Sequence, residues 1–213
     1  MKQLFVLLCF SFFSKAVSQD MPKDSIIYLE EISVSRDNSK REVERIKTKG
    51  KEMAADAFQY TSTEVSLIDN IPDGYLRSIK FFFNTGLGNQ QQKDFQIKYK
   101  DIELGLVIYE VNADGIPGQA LSDNDIRFVV KRDHKGSVEL NLSPLYLRSQ
   151  KKLFFGLRAI TEQTGRNIVL KIMNNETAYT FCKPQGSDAW RRLYSNRKNN
   201  YHLKIEVGIL TDE

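Results

Sequence analysis

Two histidines, His134 and His202, stand out first among the residues of this 213-residue chain that could do acid–base or metal chemistry. General acid–base catalysis needs a group titrating near neutral pH with a partner held against it. His134 falls in the turn sequence Arg132-Asp133-His134-Lys135-Gly136, which offers solvent rather than a partner. His202 alternates with Tyr201 and Leu203, which predicts the outer face of a half-buried strand. No other histidine or cysteine stands beside either one at zinc-ligand spacing. Gly-x-Ser-x-Gly and His-Glu-x-x-His motifs are absent, and Gly86-Leu87-Gly88 runs into glutamines rather than a phosphate-cradling helix. Two carboxylates about 5–10 Å apart can hydrolyse a glycosidic bond, but no spacing among the 27 acidic residues singles out a pair. The expectation is a chain with no catalytic residues.

Two binding constellations remain. Asn112, Asp114, Asp123 and Asp125 flank Pro117 and could offer oxygen ligands to calcium, the one cofactor the residues suggest. A hard cation takes six to eight such oxygens. The spacing is not that of a helix-loop-helix calcium site, and the same residues serve equally well as turn formers. The second constellation is aromatic: Tyr179, Phe181, Trp190, Tyr194 and Tyr201 interleave with Arg191, Arg192, Arg197 and Lys198. Trp190, Tyr194, Tyr201 and Arg192 form a candidate ligand platform, in which rings stack on the apolar face of a sugar and the guanidinium bridges hydroxyls or a carboxylate. The competing reading makes Trp190 a core residue that buries a large area.

The elements that must position these groups are strands. Ile26 to Ser35 is rich in β-branched residues and partly alternating. Arg36 to Lys51 carries seven basic and three acidic residues, and Val43, Ile46 and Met53 offer only a thin helical stripe, so a charged linker or loose helix is expected there. From Phe58 onward the period is two. Tyr75, Arg77, Ile79, Phe81 and Phe83 share one predicted face, and Leu87 to Lys98 is a predicted polar loop. Leu104 to Val111 is apolar on both faces, as in a strand covered on both sides. Further strands are expected at Ile126–Val130, Val138–Leu142, Leu153–Ile160, Ile168–Met173, Thr177–Cys182 and Tyr201–Ile209. Roughly ten strands without a long helix predict an all-β fold, a two-sheet antiparallel jelly-roll-type sandwich.

The N-terminus predicts the compartment. Lys2, the apolar run Leu4 to Phe13 and the small residues Ala16 and Ser18 make a secretion-signal pattern with cleavage after Ser18. That run is about half the ~20 residues a spanning helix needs, and no later stretch approaches that length, so no transmembrane segment is expected in the mature chain. A lipid-modified cysteine normally follows a small residue, whereas Leu8 precedes Cys9. With the leader removed, Cys182 is the one cysteine left, so no intramolecular disulfide is expected. Loss of Lys2 and Lys15 leaves 29 basic against 27 acidic residues, too even a balance for a general nucleic-acid binder.

The stretch from Tyr75 to Ile160 also resembles a family. Its motifs are Gly74-Tyr75-Leu76-Arg77-Ser78-Ile79, Val107-Ile108-Tyr109-Glu110-Val111 with Asp114-Gly115-Ile116-Pro117-Gly118-Gln119-Ala120-Leu121, Val138-Glu139-Leu140-Asn141-Leu142-Ser143 and Leu153-Phe154-Phe155-Gly156-Leu157. They are similar to jelly-roll modules of exported Bacteroidetes-type proteins, which often follow a carboxypeptidase-regulatory-like, transthyretin-like domain. Tyr28-Leu29-Glu30-Glu31-Ile32-Ser33-Val34 resembles the last strand of such a domain, although only about seven residues separate the expected cleavage site after Ser18 from Ile26. The resemblance implies a sandwich at the cell envelope and no particular activity.

The organisation expected is a signal peptide at 1–18, a strand plus charged linker at 19–57, and a sandwich at 58–213. The expected function is non-catalytic recognition at the envelope, in the periplasm, on the outer-membrane surface or after secretion. An envelope protein or a glycan is the expected partner, with a carbohydrate-binding module as the alternative and a glycan-active hydrolase as a distant third.

Overall fold

The computed structural model describes residues 42–58, 60–84, 101–131, 134–160, 168–175, 179–196 and 199–211. The leader, the predicted strand Ile26 to Ser35 and the predicted loop Leu87 to Lys98 lie outside them. The described residues form thirteen strands and one short 3-10 turn, in two antiparallel sheets packed together as an all-β sandwich.

Sheet I contains β1 (Val43–Lys47), β2 (Lys51–Ala57), β4 (Gly74–Asn84), β7 (Gly136–Asn141), β9 (Ile168–Asn175), β12 (Asn199–Leu203) and β13 (Ile205–Thr211). Sheet II runs β6 (Pro117–Val130), β5 (Ile102–Val111), β8 (Lys152–Ala159), β3 (Thr61–Asp69), β10 (Thr180–Pro184). The strand β11 (Arg191–Asn196) pairs with β10 on one edge and β12 on the other, so the sheets are continuous at that corner.

Alternation decides what fills the space between them. Leu104, Leu106 and Ile108 of β5 and Leu153, Phe155 and Leu157 of β8 meet Ile79, Phe81 and Phe83 of β4 and Ile205, Val207 and Ile209 of β13 in one buried cluster. In β4 the alternation slips once. Leu76 and Ile79 both point inward while Tyr75 is exposed, because the pairing with β13 passes from Gly208↔Ser78 to Ile209↔Leu76 and leaves Arg77 as the extra residue of a bulge. A bulge flips every later side chain to the other face, so the single face expected from Tyr75 to Phe83 holds only from Ile79.

The segment expected to be a linker is part of the sandwich. β1 pairs with β13 and β2 with β9, so the boundary expected at residue 58 falls inside the domain. Val43 and Met53 stay exposed there, and Ile46, Ala55 and Ala57 reach the core. Edge strands need little apolar content, which is why these residues read as a linker.

Two glycines permit the geometry that shapes sheet II. A Cβ on Gly156 of β8 would overlap the Glu64 carbonyl oxygen and come within 2.6 Å of Val65 Cα, so only glycine lets β3 lie this close. Gly115 takes a left-handed φ of 76° in the β5–β6 turn.

Candidate functional site

β5 and β8 of sheet II are apolar on both faces, and the second face builds a cluster of its own. Val65 of β3, Val107 and Tyr109 of β5, Phe154 of β8 and Phe181 of β10 are buried on the outside of the sheet. Tyr179, Ile116 and Trp190 pack over them. The rings meet edge to face: Tyr109–Trp190 at 5.1 Å between centroids, and Phe154–Phe181 and Tyr179–Phe181 each at 5.6 Å. Such pairs favour this arrangement because the positive ring edge meets the negative face.

Cations lie on those rings. Lys183 Nζ stands 4.9 Å from the Trp190 centroid, and the Arg192 guanidinium carbon 4.5 Å from that of Tyr179, within cation–π range. Arg158 donates to the Tyr109 hydroxyl at 3.1 Å and pairs with Asp123 at 2.9 Å. Burial pushes the Tyr109 hydroxyl above its ordinary pKa, so it is protonated at neutral pH. The strand register places Lys183, Thr63, Arg158, Gly105 and Arg127 in one row across β10, β3, β8, β5 and β6. Thr63 is only 1% exposed, and its hydroxyl has no hydrogen-bond partner.

The expected platform is divided by the sheet. Trp190 is partly buried on the outer face, and Arg192 is exposed beside Tyr179, where it also donates to Asn200 at 3.2 Å. Tyr194 belongs to β11, but its side chain is outside the described residues. Tyr201 is 5% exposed and points between the sheets, so it shares no surface with Trp190. One-residue alternation puts neighbouring aromatics on opposite faces, and proximity in sequence concealed that. Tyr109, Arg158, Lys183 and Thr63 were missed because only the strand register unites them. The available signal was the second apolar face of β5, which has to be covered by something.

Of the oxygens expected to hold calcium, those of Asn112 and Asp123 do not converge. Asn112 Oδ1 accepts from the backbone N–H groups of Asp114 and Ile116, both at 3.0 Å, and so closes the β5–β6 turn. Asp123 pairs with Arg158 opposite Val107, about 17 Å along the strand from Asn112 at a typical rise per residue. Asp114 is exposed, and the side chain of Asp125 is outside the described residues. Among the described residues no three His, Cys, Asp or Glu side chains group as a metal site. The turn reading accounts for Asn112.

A second polar group is sealed inside. Glu64 accepts from the Phe58 N–H at 3.2 Å, the Thr61 hydroxyl at 2.6 Å and the Tyr201 hydroxyl at 3.3 Å. Burial raises its pKa against the pull of those donors. Burial and the Glu64 carboxylate hold Tyr201 well above its usual range, and burial with the same carboxylate pushes the Cys182 thiol up to about 11. His202 alternates with Tyr201 and Leu203 as expected, opposite Met173, but it is buried, because β12 lies at the corner where it also packs against β3. Its Nε2 donates to the Leu67 carbonyl at 2.8 Å, Nδ1 has no partner, and burial lowers its pKa. His134 stacks edge to face on Phe83 at 5.6 Å rather than lying free in its turn. Glu64, Tyr201, Cys182 and His202 are each at most 5% exposed.

The chain matches no family model, no curated protein and no solved structure. Among the described residues no helix is long and apolar enough to cross a membrane.

Proposed function

We propose that this protein is a non-catalytic recognition domain that works outside the cytoplasm and meets its partner with the outer face of sheet II. The observation that carries this reading is the Trp190–Tyr109–Lys183 cluster on the outside of the sandwich. Trp, Tyr and Arg are the side chains enriched at the centres of binding surfaces, and Trp190, Tyr109 and Arg158 stand together here. Export is supported by the leader pattern at 1–18, and an envelope location by the resemblance of the motifs between Tyr75 and Ile160. An enzymatic reading has less support, since Glu64, Tyr201 and Cys182, the reactive groups the fold gathers, are closed off between the sheets.

A photoreactive residue placed at position 190 tests the proposal, with the same residue at position 139 on sheet I as the comparison. In cells that produce the protein, irradiation is expected to give a discrete adduct from position 190 and none from position 139. Adducts from 139 alone would place recognition on the wrong face.

A further inference from the structure

The row Lys183–Thr63–Arg158–Gly105–Arg127 contains three cations and no acid. A comparable row on sheet I, Lys47–Glu206–Lys80–Glu139, alternates in sign across β1, β13, β4 and β7. Opposite charges set across strands stabilise a sheet, and like charges weaken it. Sheet I therefore satisfies its own charges. Among the described residues Asp123 pairs with Arg158 at 2.9 Å, while Lys183 reaches Asp188 only at 3.8 Å and that side chain is fully exposed. The Lys183 side chain is itself just 17% exposed, so its charge is partly desolvated on the Trp190 ring. Between the two cations lies the unpartnered Thr63 hydroxyl, and buried polar groups without a partner are rare in folded proteins.

Resting on the recognition reading above, we propose that this row and the rings over it bind a carboxylate-bearing polysaccharide, a polymer containing uronic-acid residues. Two cation–aromatic pairs, Lys183 with Trp190 and Arg192 with Tyr179, each set a positive charge within 5 Å of a ring centroid. A uronate carries an apolar C–H face and a carboxylate on the same rigid ring, so one sugar residue satisfies both members of a pair. An acidic peptide carries its carboxylates on flexible stems and its apolar groups on other residues, and ordering that chain costs more conformational entropy. Lys183 and Arg192 lie two strand positions apart in the β10–β11 register, about 7 Å. That spacing allows neighbouring residues of one polymer to engage both pairs. The Thr63 hydroxyl supplies a hydrogen-bonding group to the carboxylate or a ring hydroxyl once Trp190 shifts.

Affinity measurements on the full chain test this, with polygalacturonate, alginate, a neutral glucan and polyglutamate as probes. The proposal expects binding to the two polyuronates, weakening as salt rises, and little binding to the glucan. Lys183→Gln is expected to lose about tenfold or more, Trp190→Phe less, and Glu139→Gln nothing, with thermal melts confirming that each variant folds. Equal binding to polyglutamate, or salt-independent binding to the glucan, would overturn the uronate assignment while leaving sheet II as the recognition face. No polysaccharide binding together with a discrete protein adduct from position 190 would do the same. No binding and no adduct would defeat both readings.

Discussion

The two outer faces of this sandwich solve the same problem in different ways. On sheet I, Glu206 takes Arg45 at 2.7 Å and Lys47 at 3.2 Å, Lys80 takes Glu139 at 3.0 Å, and Glu52 pairs with both Lys171 and Lys204. That face is held in water mainly by charges that answer one another, with Phe82 on it covered by Lys204, whose Nζ stands 4.5 Å from the ring centroid. On sheet II the face is apolar at its centre, roofed by Trp190, Tyr179 and Ile116, with cations against the rings. A sandwich needs one buried face per sheet. A second apolar face with a partly exposed aromatic roof is more than folding requires, and that excess is where a binding role can reside.

If the second cluster is a true packed layer, Phe154→Ala should cost about 3–5 kcal/mol in chemical denaturation. A loss below about 1 kcal/mol would mean that the outer layer of sheet II is loose. Gly156→Ala should cost about 1–3 kcal/mol or more by overpacking β3 against β8, whereas alanine at Gly115, where a Cβ meets nothing, should be penalised for its backbone alone. Similar losses at both glycines would remove the close approach from the account.

The corner between the faces should respond to pH. Burial lowers the folded pKa of His202 below its ordinary 6.5, so the unfolded chain takes up the proton first. The stability that neutral His202 preserves is therefore complete above about pH 6.5 and is lost as pH falls below that value toward the folded pKa. Thermal melts across this window should lose part of their slope in His202→Gln. An unchanged slope would show that His202 protonates without disturbing the packing of β12.

The smallest effect belongs to sheet I. Glu139→Gln removes a half-exposed partner and should change stability by at most about 1 kcal/mol, less in high salt. A loss comparable with that of Phe154→Ala would erase the distinction between the faces.

What could be read from the sequence follows the same division. β5, β8 and β13 carry dense or alternating apolar residues, and their places in a two-sheet fold were legible, as was the double-sided covering of β5. β1 and β2 were not, because edge strands bury so little that Val43, Ile46 and Met53 resemble a weak helix. The candidate site was half legible. Trp190 and Arg192 lie on one face, but Tyr201 turns inward to Glu64. Tyr109, which Trp190 touches, lies far away in the chain and becomes a neighbour only through the pairing of β5, β8, β3 and β10.

The chain contains one tryptophan, so its fluorescence reports on the proposed surface alone. The most direct test is a titration with polygalacturonate followed at once by calorimetry and by Trp190 emission. A saturable emission change with the calorimetric midpoint is expected. Binding that leaves Trp190 emission unchanged and disappears in Glu139→Lys would contradict it, and would move recognition to sheet I.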